Sequence, residues 1–255
     1  MAQPIARVTG GASGIGLAAT RRLVQRGYRV AGLDGAKQNL DAVVEEFGHA
    51  VMPYNPDVGD RAALAETVRQ IEAVGPIEHV LGSAGIARVG PTLEVSQADV
   101  ELMVRVNFFG VVNLVDTVFP LMLARGRGEF AILASATGLV PPKKMAAYGA
   151  TKAAVINYLV SLHHEHGNEG VTIGIVCPAA VATPMANDFF ADPRKRKRSM
   201  ATTPEKIVAA IEKGLAHKKL MIVPGAVAKG GAIAERISPA IMRKVQNPRL
   251  ADLVD

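Results

Sequence analysis

Tyr148 and Lys152 stand four positions apart in a stretch, Ala147 to Ile156, whose residues are typical of a helix. Positions i and i+4 lie on the same face of an α-helix, so the phenol and the ammonium group are expected to face the same space. A cation within about 4–6 Å of a phenol favours the phenolate and would lower the pKa of Tyr148 from about 10. Such a phenol could serve as a general acid or base near neutral pH. This spacing is common in proteins, so the hypothesis depends on the rest of the chain.

Two further polar side chains lie where a reactive site could use them. Ser135 directly follows the β-rich run Glu129 to Ala134, which places a hydroxyl at the carboxyl end of a predicted strand, shortly before the Tyr148 helix. Asn107 interrupts the apolar stretch of a long predicted helix, Gln97 to Leu114. An asparagine inside a helix is often merely tolerated, so Asn107 carries little weight by itself.

The first predicted strand, Ile5 to Val8, leads into a glycine-rich turn and then into a predicted helix, Leu17 to Val24. Glycine allows φ > 0 and a close approach of a ligand, and free N–H groups at a helix start favour a pyrophosphate. The spacing over Gly10 to Gly16 is Gly-x-x-x-Gly-x-Gly, which differs from the general dinucleotide fingerprint. No Gly-Lys-Ser/Thr follows, which excludes a nucleoside-triphosphate P-loop. We therefore predict phosphate binding at this turn, with a plain tight turn as the alternative.

Asp34 follows the second predicted strand, Arg29 to Leu33, at the position where an acidic residue suits the ribose 2′-hydroxyl of a dinucleotide. A carboxylate there repels a 2′-phosphate. Gly35 follows where an arginine could have neutralised such a phosphate. The pattern favours NAD over NADP, although Lys37 weakens the charge argument and Asp34 could simply cap a turn.

Apolar strand-like runs and helical patterns alternate along the chain. This alternation predicts a parallel sheet with helices on both faces, and unbroken apolar runs match strands that are buried on both sides. Small residues end the strand-like run Ile77 to Gly85, which leaves room for a flat ligand. The expected fold is one doubly wound, Rossmann-type α/β domain over residues 1–255, with a parallel sheet of about seven strands.

Composition limits the compartment and the class of protein. The chain has 255 residues, one cysteine and a formal charge of +6, and 49% of its residues are hydrophobic, enough for a continuous core. Cys177 stands alone, so no intramolecular disulfide can form and a reducing compartment is expected. The N-terminus has no signal-peptide pattern, and no uncharged apolar stretch of about 18 residues predicts a transmembrane helix. We expect a cytoplasmic protein, and the sequence predicts no metal site.

Two regions are interpreted from their position and charge. Residues 184–204 form a long loop that we interpret as a flap over the substrate. It contains the basic run Arg194 to Arg198, which suits a solvated loop, contact with the anionic tail of a substrate, or nucleic acid. No aromatic residue is interleaved with the run, which argues against a surface for single-stranded nucleic acid, and we expect no nucleic-acid partner. The C-terminal arm, residues 226–255, could cover the pocket, pack on another subunit or touch a membrane surface.

These residues together resemble the short-chain dehydrogenase/reductase family over nearly the whole chain. The family's Thr-Gly-x-x-x-Gly-x-Gly turn matches Thr9 to Gly16, and its adenine-contacting pair matches Asp57-Val58. Its catalytic tetrad falls, in order and spacing, on Asn107, Ser135, Tyr148 and Lys152. Each match alone is weak, whereas the whole set in this order is specific.

The chain departs from the family pattern at two places beside the predicted cofactor. Gly82 and Ser83 replace the two asparagines of the usual Asn-Asn-Ala-Gly, which removes polar contacts. Ala179 replaces the glycine that usually follows Pro178. Neither departure touches a catalytic atom, so we expect altered cofactor affinity and retained chemistry.

The resemblance implies a role for each matched residue. Ser135 would hydrogen-bond the substrate oxygen, and Tyr148 would take or give the proton. Lys152 would hold the nicotinamide ribose and lower the phenol pKa, and Asn107 would anchor a water of a proton relay. The residues implied in cofactor binding are Gly10, Ala12, Ser13, Gly14, Ile15, Gly16, Asp34, Asp57, Val58, Ser83, Ala84, Gly85, Tyr148, Lys152, Pro178, Val181 and Thr183. Family members commonly pair as dimers or tetramers through the helices that match residues 97–114 and 147–160.

The expected activity is that of an NAD-dependent alcohol dehydrogenase or ketone reductase acting on an apolar secondary alcohol or ketone. Phe189, Phe190, Met145 and Met185 motivate the apolar substrate. One alternative is a 3-oxoacyl-thioester reductase whose basic run grips a phosphopantetheine carrier; Asp34 counts against it, because reductive synthesis usually uses NADPH. Another alternative is a dinucleotide-binding sensor without turnover, which the intact tetrad opposes.

Overall fold

Each strand-forming run of this chain is followed by a helix that returns the chain to the same end of the sheet, so successive strands run parallel. The computed structural model describes residues 4–187 and 202–237. Its strands are β1 Ile5–Thr9, β2 Arg29–Leu33, β3 Val51–Tyr54, β4 Ile77–Gly82, β5 Gly128–Leu133, β6 Val171–Val176 and β7 Met221–Ile222. They form one parallel sheet in the order β3-β2-β1-β4-β5-β6-β7. The predicted doubly wound α/β fold is confirmed.

Helices cover both faces of this sheet. They are α1 Gly14–Gln25, α2 Lys37–Phe47, α3 Arg61–Val74, α4 Gln97–Met103, α5 Gly110–Arg125, α6 Ala146–His166, α7 Pro184–Asn187, α8 Pro204–Ala216 and α9 Ala226–Ile237. Apolar residues of α1, α2 and α8 join one buried cluster, and those of α3, α5 and α6 join the other. Successive side chains alternate along a strand, so Val30 contributes to the first cluster and Ala31 to the second.

The helix predicted over residues 97–114 is longer than expected and contains an irregularity. A π-helical turn, Val104–Phe109, joins α4 to α5 without a break, so the helical stretch runs to Arg125. Such turns are frequent at functional sites, and the buried Asn107 lies in this one. By length and composition residues 97–125 could cross a membrane, but 50% of the most apolar window is buried inside the domain, as in a core helix.

The predicted flap is described only at its two ends. α7 begins it, and an isolated bridge pairs Val181 with Thr202. Residues 188–201, which include Phe189, Phe190 and the run Arg194 to Arg198, lie outside the described residues.

The predicted C-terminal arm begins with α9. A Cβ placed on Gly231 would lie 3.8 Å from the Val140 side chain, so α9 packs beside the loop that precedes α6. Residues 238–255 of the arm lie outside the described part of the chain.

Arg7 breaks the apolar pattern of the sheet core. It lies in β1, opposite Ala31 of β2 and Val80 of β4, and none of its surface is exposed. Within residues 4–187 and 202–237, no hydrogen-bond partner reaches its three guanidinium nitrogens. Burial lowers the pKa of Arg7 to about 9. A buried charge without a partner is costly, so this side chain is expected to reduce the stability of the fold.

Candidate active site

A cavity of about 710 Å³ opens beside the carboxyl ends of the strands, where the strand order reverses between β1 and β4. Open α/β sheets bind their ligands in this crevice. The predicted site residues that line it are Gly10, Ser13, Gly14, Ile15, Asp34, Asp57, Val58, Ser83, Ala84, Gly85, Ser135, Tyr148, Lys152, Pro178, Val181 and Thr183. Three predicted residues lie behind its wall instead, namely Ala12, Gly16 and Asn107.

The glycine-rich turn brings the start of α1 to the cavity. Gly10 and Gly14 have φ angles of 66° and 49°, which glycine adopts without strain. A Cβ on Gly16 would lie 1.9 Å from the Gly10 carbonyl oxygen, so only glycine lets the turn fold onto the helix. α1 begins at Gly14, which lines the cavity beside Ser13, so the free N–H groups of its first turn lie at the wall. This cradle fits a pyrophosphate.

The Asp34 carboxylate links the second strand to the glycine-rich turn. One oxygen accepts from the Ala12 N–H at 3.1 Å, and the other accepts from the Ala36 N–H at 3.0 Å. Asp34 therefore caps the turn after β2, as the alternative interpretation held, and it also lines the cavity. Ala12, which was predicted to bind the cofactor, thus acts on the site by positioning the Asp34 carboxylate. The fixed negative charge disfavours a second anionic group at this part of the wall.

Asp57 and Val58 follow β3, the neighbour of β2, and line the cavity. The Asp57 carboxylate pairs with Arg105 and accepts from the Gly59 N–H at 2.9 Å. The Val58 carbonyl accepts from the Asn113 side chain at 2.9 Å. Sequence reasoning missed Arg105 and Asn113, because both lie far along the chain and no motif connects them to this pair.

Ser135 and Tyr148 meet at the cavity wall. Ser135 follows β5 and starts a 3-10 turn, Ala136–Gly138, in which its hydroxyl accepts from the Thr137 N–H at 3.1 Å. Its side chain also hydrogen-bonds the Tyr148 hydroxyl. A Cβ on Gly138 would lie 2.8 Å from the α6 backbone, so glycine is what lets the turn approach the Tyr148 helix. The resulting hydroxyl pair can exchange a proton with a substrate oxygen.

The predicted effect of Lys152 on Tyr148 is wrong in this structure. Burial raises the pKa of Tyr148 to about 12, and the hydrogen bond from Ser135 opposes that rise only in part. Burial also lowers the pKa of Lys152 to about 8. The Lys152 ammonium group lies 5.7 Å from the centre of the Tyr148 ring. The two residues share a helix face as predicted, but desolvation is the largest influence on the phenol pKa.

Asn107 holds the cavity wall together from behind. Its Oδ1 accepts from the Ile86 N–H at 2.8 Å, and its Nδ2 donates to the Ile86 carbonyl at 2.9 Å. The same Nδ2 donates to the Thr151 hydroxyl at 3.1 Å, and that hydroxyl donates to the Tyr148 carbonyl at 2.7 Å. Asn107 thus ties the segment after β4 to α6, with Thr151 as a link that sequence reasoning missed. The implied role of Asn107 in a proton relay stays a prediction.

Gly85 keeps the space between two of the predicted catalytic groups open. A Cβ there would lie 3.2 Å from the Asn107 Oδ1 and 3.4 Å from the Lys152 Nζ. Glycine is therefore the residue that leaves this part of the cavity accessible to a flat ligand.

The segment that lacks the family's two asparagines is held by other contacts. Thr9 Oγ1 accepts from the Ser83 N–H at 3.1 Å and from the Ala84 N–H at 3.2 Å. A Cβ on Gly82 would lie 2.5 Å from the Ile132 side chain, so Ile132 fills the space that a larger residue would need. The two asparagines and their polar contacts are thus missing from a segment whose residues pack closely against the neighbouring strand.

Several lining residues carry no motif and were missed by sequence reasoning. Each adjoins a strand end or a motif residue, and that adjacency is the only signal in the sequence. They include Leu33, Asn55, Ile86, Val106, Leu133 and Ala180. In the part of the chain that the structure describes, no group of three or more His, Cys, Asp or Glu residues could hold a metal ion.

Comparison with known proteins gives one family. A family model described as short chain dehydrogenase matches residues 4–194. A meso-2,3-butanediol dehydrogenase from Serratia marcescens is 33% identical over 245 residues, which cover 92% of this chain and 96% of that protein. A 3-oxoacyl-acyl-carrier-protein reductase from Thermotoga maritima is 31% identical over 182 residues, which cover 70% of this chain and 74% of that protein.

A solved structure agrees at the level of the fold. A short chain dehydrogenase/reductase from Burkholderia phymatum, in complex with NAD, has a TM-score of 0.85 at 23% identity. The match covers 94% of this chain and 95% of that chain. With the family model spanning most of the sequence, the chain belongs to the short-chain dehydrogenase/reductase family of oxidoreductases.

Proposed function

We propose that this protein is an NAD-dependent oxidoreductase that transfers a hydride between the nicotinamide and an apolar secondary alcohol or ketone. The observation that carries the proposal is the hydrogen bond between Ser135 and Tyr148 at a cavity that also contains Lys152 and the glycine-rich turn. The cavity thus combines a phosphate cradle with a proton-exchanging hydroxyl pair. Hydride transfer between a dinucleotide and an alcohol needs both.

This proposal assigns a separate role to each of three side chains. Ser135 holds the substrate oxygen, and the Tyr148 phenol donates its proton to that oxygen during reduction. During oxidation Tyr148 accepts the substrate proton after its own proton has been released to solvent. A bound nicotinamide dinucleotide would supply the hydride donor or acceptor, which no side chain can replace. The Lys152 ammonium group has three N–H donors, of which one is used by the Leu133 carbonyl at 2.9 Å, so two remain for ribose hydroxyls.

The proposed preference for NAD over NADP rests on Asp34. Its carboxylate is fixed at the cavity wall by two backbone N–H groups, at 3.1 and 3.0 Å. Gly35 next to it also lines the cavity and offers no cation for a 2′-phosphate. An Asp34→Ala variant is expected to raise the ratio of NADP to NAD turnover by about tenfold or more. The reason is that removing a like charge next to a 2′-phosphate is worth more than about 1.4 kcal/mol. Asp41→Ala, at an exposed position of α2, is the matched control.

Two other functions remain as candidates. The Thermotoga maritima relative supports a 3-oxoacyl-thioester reductase, for which the run Arg194 to Arg198 would bind the carrier; Asp34 counts against it. A dinucleotide-binding sensor without turnover would not need the hydroxyl pair of Ser135 and Tyr148.

Turnover by the purified protein separates these candidates. Incubation with NAD or NADP and a panel of secondary alcohols, followed by nicotinamide absorbance, is expected to show NAD reduction. Tyr148→Phe should abolish turnover while NADH still binds, measured by cofactor fluorescence. Full activity of Tyr148→Phe would contradict the mechanism. Turnover with 3-oxoacyl thioesters alone, lost when Arg194 to Arg198 are neutralised, would favour the second candidate.

We also propose that the protein works in the cytoplasm as a homodimer or homotetramer. The lone Cys177 is buried as a free thiol, which suits a reducing compartment. Phe109 is 50% exposed on the helical stretch 97–125, and its neighbour Phe108 packs edge-on against Tyr158 of α6 at 6.0 Å. These outer faces offer apolar area for a second copy. Sedimentation of Phe109→Lys is expected to show smaller particles than the parent chain.

A further inference from the structure

The part of the cavity wall next to Tyr148 is apolar. Ile86, Met145 and Met185 line the cavity, and all three belong to the apolar cluster that includes the Tyr148 ring. The aromatic face of the predicted catalytic residue is therefore continuous with a wall of hydrocarbon and thioether groups. A substrate whose oxygen reaches Tyr148 places its neighbouring atoms against this wall.

Few charged groups line the cavity, and one of them, Lys152, lies 5.7 Å from the centre of the Tyr148 ring. Among the described lining residues, those with a formal charge are Asp34, Asp57 and Lys152. The two carboxylates follow β2 and β3, which lie on the opposite side of β1 from β4 and β5. Lys152 is 4% exposed and donates to a carbonyl of β5. The remaining donors of Lys152 are assigned to the cofactor ribose in the proposed function, so the described wall beside Tyr148 offers no further cation for an anionic substituent.

Met145 is held firmly in this wall. The preceding residue, Lys144, has a φ of 62°, a strained value for a residue with a side chain. The Lys144 carbonyl accepts from the Gly90 N–H at 2.9 Å, and the Met145 carbonyl accepts from the Gly149 N–H at 2.8 Å. Met145 is 8% exposed. The strained Lys144 backbone and its hydrogen bond to Gly90 thus fix where the chain enters α6, and Met145 lies at that point.

Met185 approaches the same cluster from another part of the chain. It lies in α7, at the start of the predicted flap, where the Ala186 N–H donates to the Thr183 carbonyl at 3.1 Å. Met185 is half-buried, so it retains surface for a ligand. Thioether side chains adapt to the shape of a ligand and make favourable contacts with aromatic rings. Two of them in the apolar cluster of the Tyr148 ring suit a ring better than a short chain.

We propose that Met145 and Met185 are specificity-determining residues that hold an uncharged, ring-bearing substituent of the secondary alcohol or ketone next to Tyr148. This inference rests on the proposed function and names the substrate class of that same site. The favoured substrates are aryl or alicyclic secondary alcohols and their ketones. Short aliphatic alcohols leave the thioethers without contacts, and carboxylate-bearing alcohols bring a charge to a wall without a partner for it.

The test compares kcat/KM for NAD-linked oxidation of four probes: 1-phenylethanol, 1-cyclohexylethanol, 2-butanol and 3-hydroxybutyrate. The parent protein is expected to favour the two ring-bearing probes over 2-butanol by at least about tenfold, with 3-hydroxybutyrate lowest. Met145→Ala and Met185→Ala should each lower kcat/KM for 1-phenylethanol by about tenfold, mainly through KM, and leave 2-butanol within about twofold. Met145→Leu and Met185→Leu should fall in between.

Met52→Ala is the matched control, because Met52 is also 8% exposed but lies in β3 away from the cavity lining. The readout is the ratio of kcat/KM for 1-phenylethanol to kcat/KM for 2-butanol in one preparation, because loss of folded protein does not change this ratio. An unchanged ratio in both cavity variants, an equal change in Met52→Ala, or a preference for 3-hydroxybutyrate would each overturn the inference. Absence of turnover with all four probes would overturn the proposed function and this inference together.

Discussion

Lys152 Nζ donates to the Leu133 carbonyl oxygen at 2.9 Å. A backbone atom at the end of β5 therefore positions the ammonium group, which the sequence predicted to lower the pKa of Tyr148. The same strand end leads into Ser135, which hydrogen-bonds the Tyr148 hydroxyl. Burial disfavours the charged form of both residues, raising the pKa of the phenol and lowering that of the amine. At neutral pH the phenol is uncharged in the folded and unfolded chain alike, so the cost in stability comes from the buried amine of Lys152.

Replacing Lys152 by methionine should stabilise the protein and abolish its turnover. Burial lowers the Lys152 pKa to about 8, so between that pH and the amine's ordinary value of about 10.4 the unfolded chain binds more protons than the folded one. Stability of the parent chain therefore rises with pH through this window. At pH 7 Lys152→Met should raise the free energy of unfolding by about 1–3 kcal/mol, and the gain should shrink above pH 8.

Urea unfolding at pH 7 and pH 9.5 measures this gain. Lys206→Met, which changes an exposed lysine of α8, should alter stability by less than about 0.5 kcal/mol at either pH. A destabilised Lys152→Met protein at pH 7 would show that the buried amine contributes more than its desolvation costs.

The Tyr148 phenol should stay protonated well above neutral pH when no dinucleotide is added. Its burial raises the pKa of Tyr148 to about 12. Any phenolate that forms at lower pH should therefore come from the other three tyrosines. The difference in absorbance between the parent chain and Tyr148→Phe, followed as pH increases to about 10.5, should show no phenolate from this residue. A Tyr148 signal below pH 10 would instead support the lowered pKa expected from the sequence.

Replacing Arg7 by leucine should stabilise the fold without affecting the site. The Arg7 side chain is fully buried without a hydrogen-bond partner in the described residues, and leucine would fit the apolar cluster on that face of the sheet. The expected gain at pH 7 is about 1–4 kcal/mol, the range seen when buried charges become apolar. Because burial lowers the Arg7 pKa to about 9, the gain should decrease above that pH.

Denaturant unfolding of Arg7→Leu beside Arg69→Leu checks this expectation. The Arg69 side chain is 74% exposed, so its replacement should change stability by less than about 1 kcal/mol. Equal effects of the two variants would mean that Arg7 has a partner or solvent contact that offsets its burial.

A methyl group at position 85 should impair catalysis more than folding. The Cβ of Gly85→Ala would lie 3.2 Å from Asn107 Oδ1 and 3.4 Å from Lys152 Nζ, which crowds both groups. We expect kcat/KM for NAD-linked oxidation to fall by about tenfold to a hundredfold, since small displacements at a reacting site are costly. Thermal unfolding should change little. Gly230→Ala, where no atom lies within 4 Å of the added Cβ, should leave kcat/KM unchanged.

The fold and the positions of most candidate site residues could be predicted from local sequence patterns. Hydrophobic runs, glycine spacing and strand ends depend on near neighbours in the chain, so they predicted the parallel sheet, the glycine-rich turn at Gly10 to Gly16 and the shared helix face of Tyr148 and Lys152. The position of Asp34 at the end of β2 follows from the same local rules. These features need only the geometry of one element and its connection. α1, however, begins at Gly14, three residues before the predicted start at Leu17.

Tertiary structure decided what depends on burial and on contacts between distant residues. The sign of the Tyr148 pKa shift was predicted wrongly because spacing along a helix carries no information about desolvation, which here is the larger effect. Asn107 reaches Ile86 and Thr151 only because the segment after β4 packs between the long helix and α6. Sequence by itself thus determined which residues are present and which face they share. Packing determined how much water they keep, and therefore their pKa values.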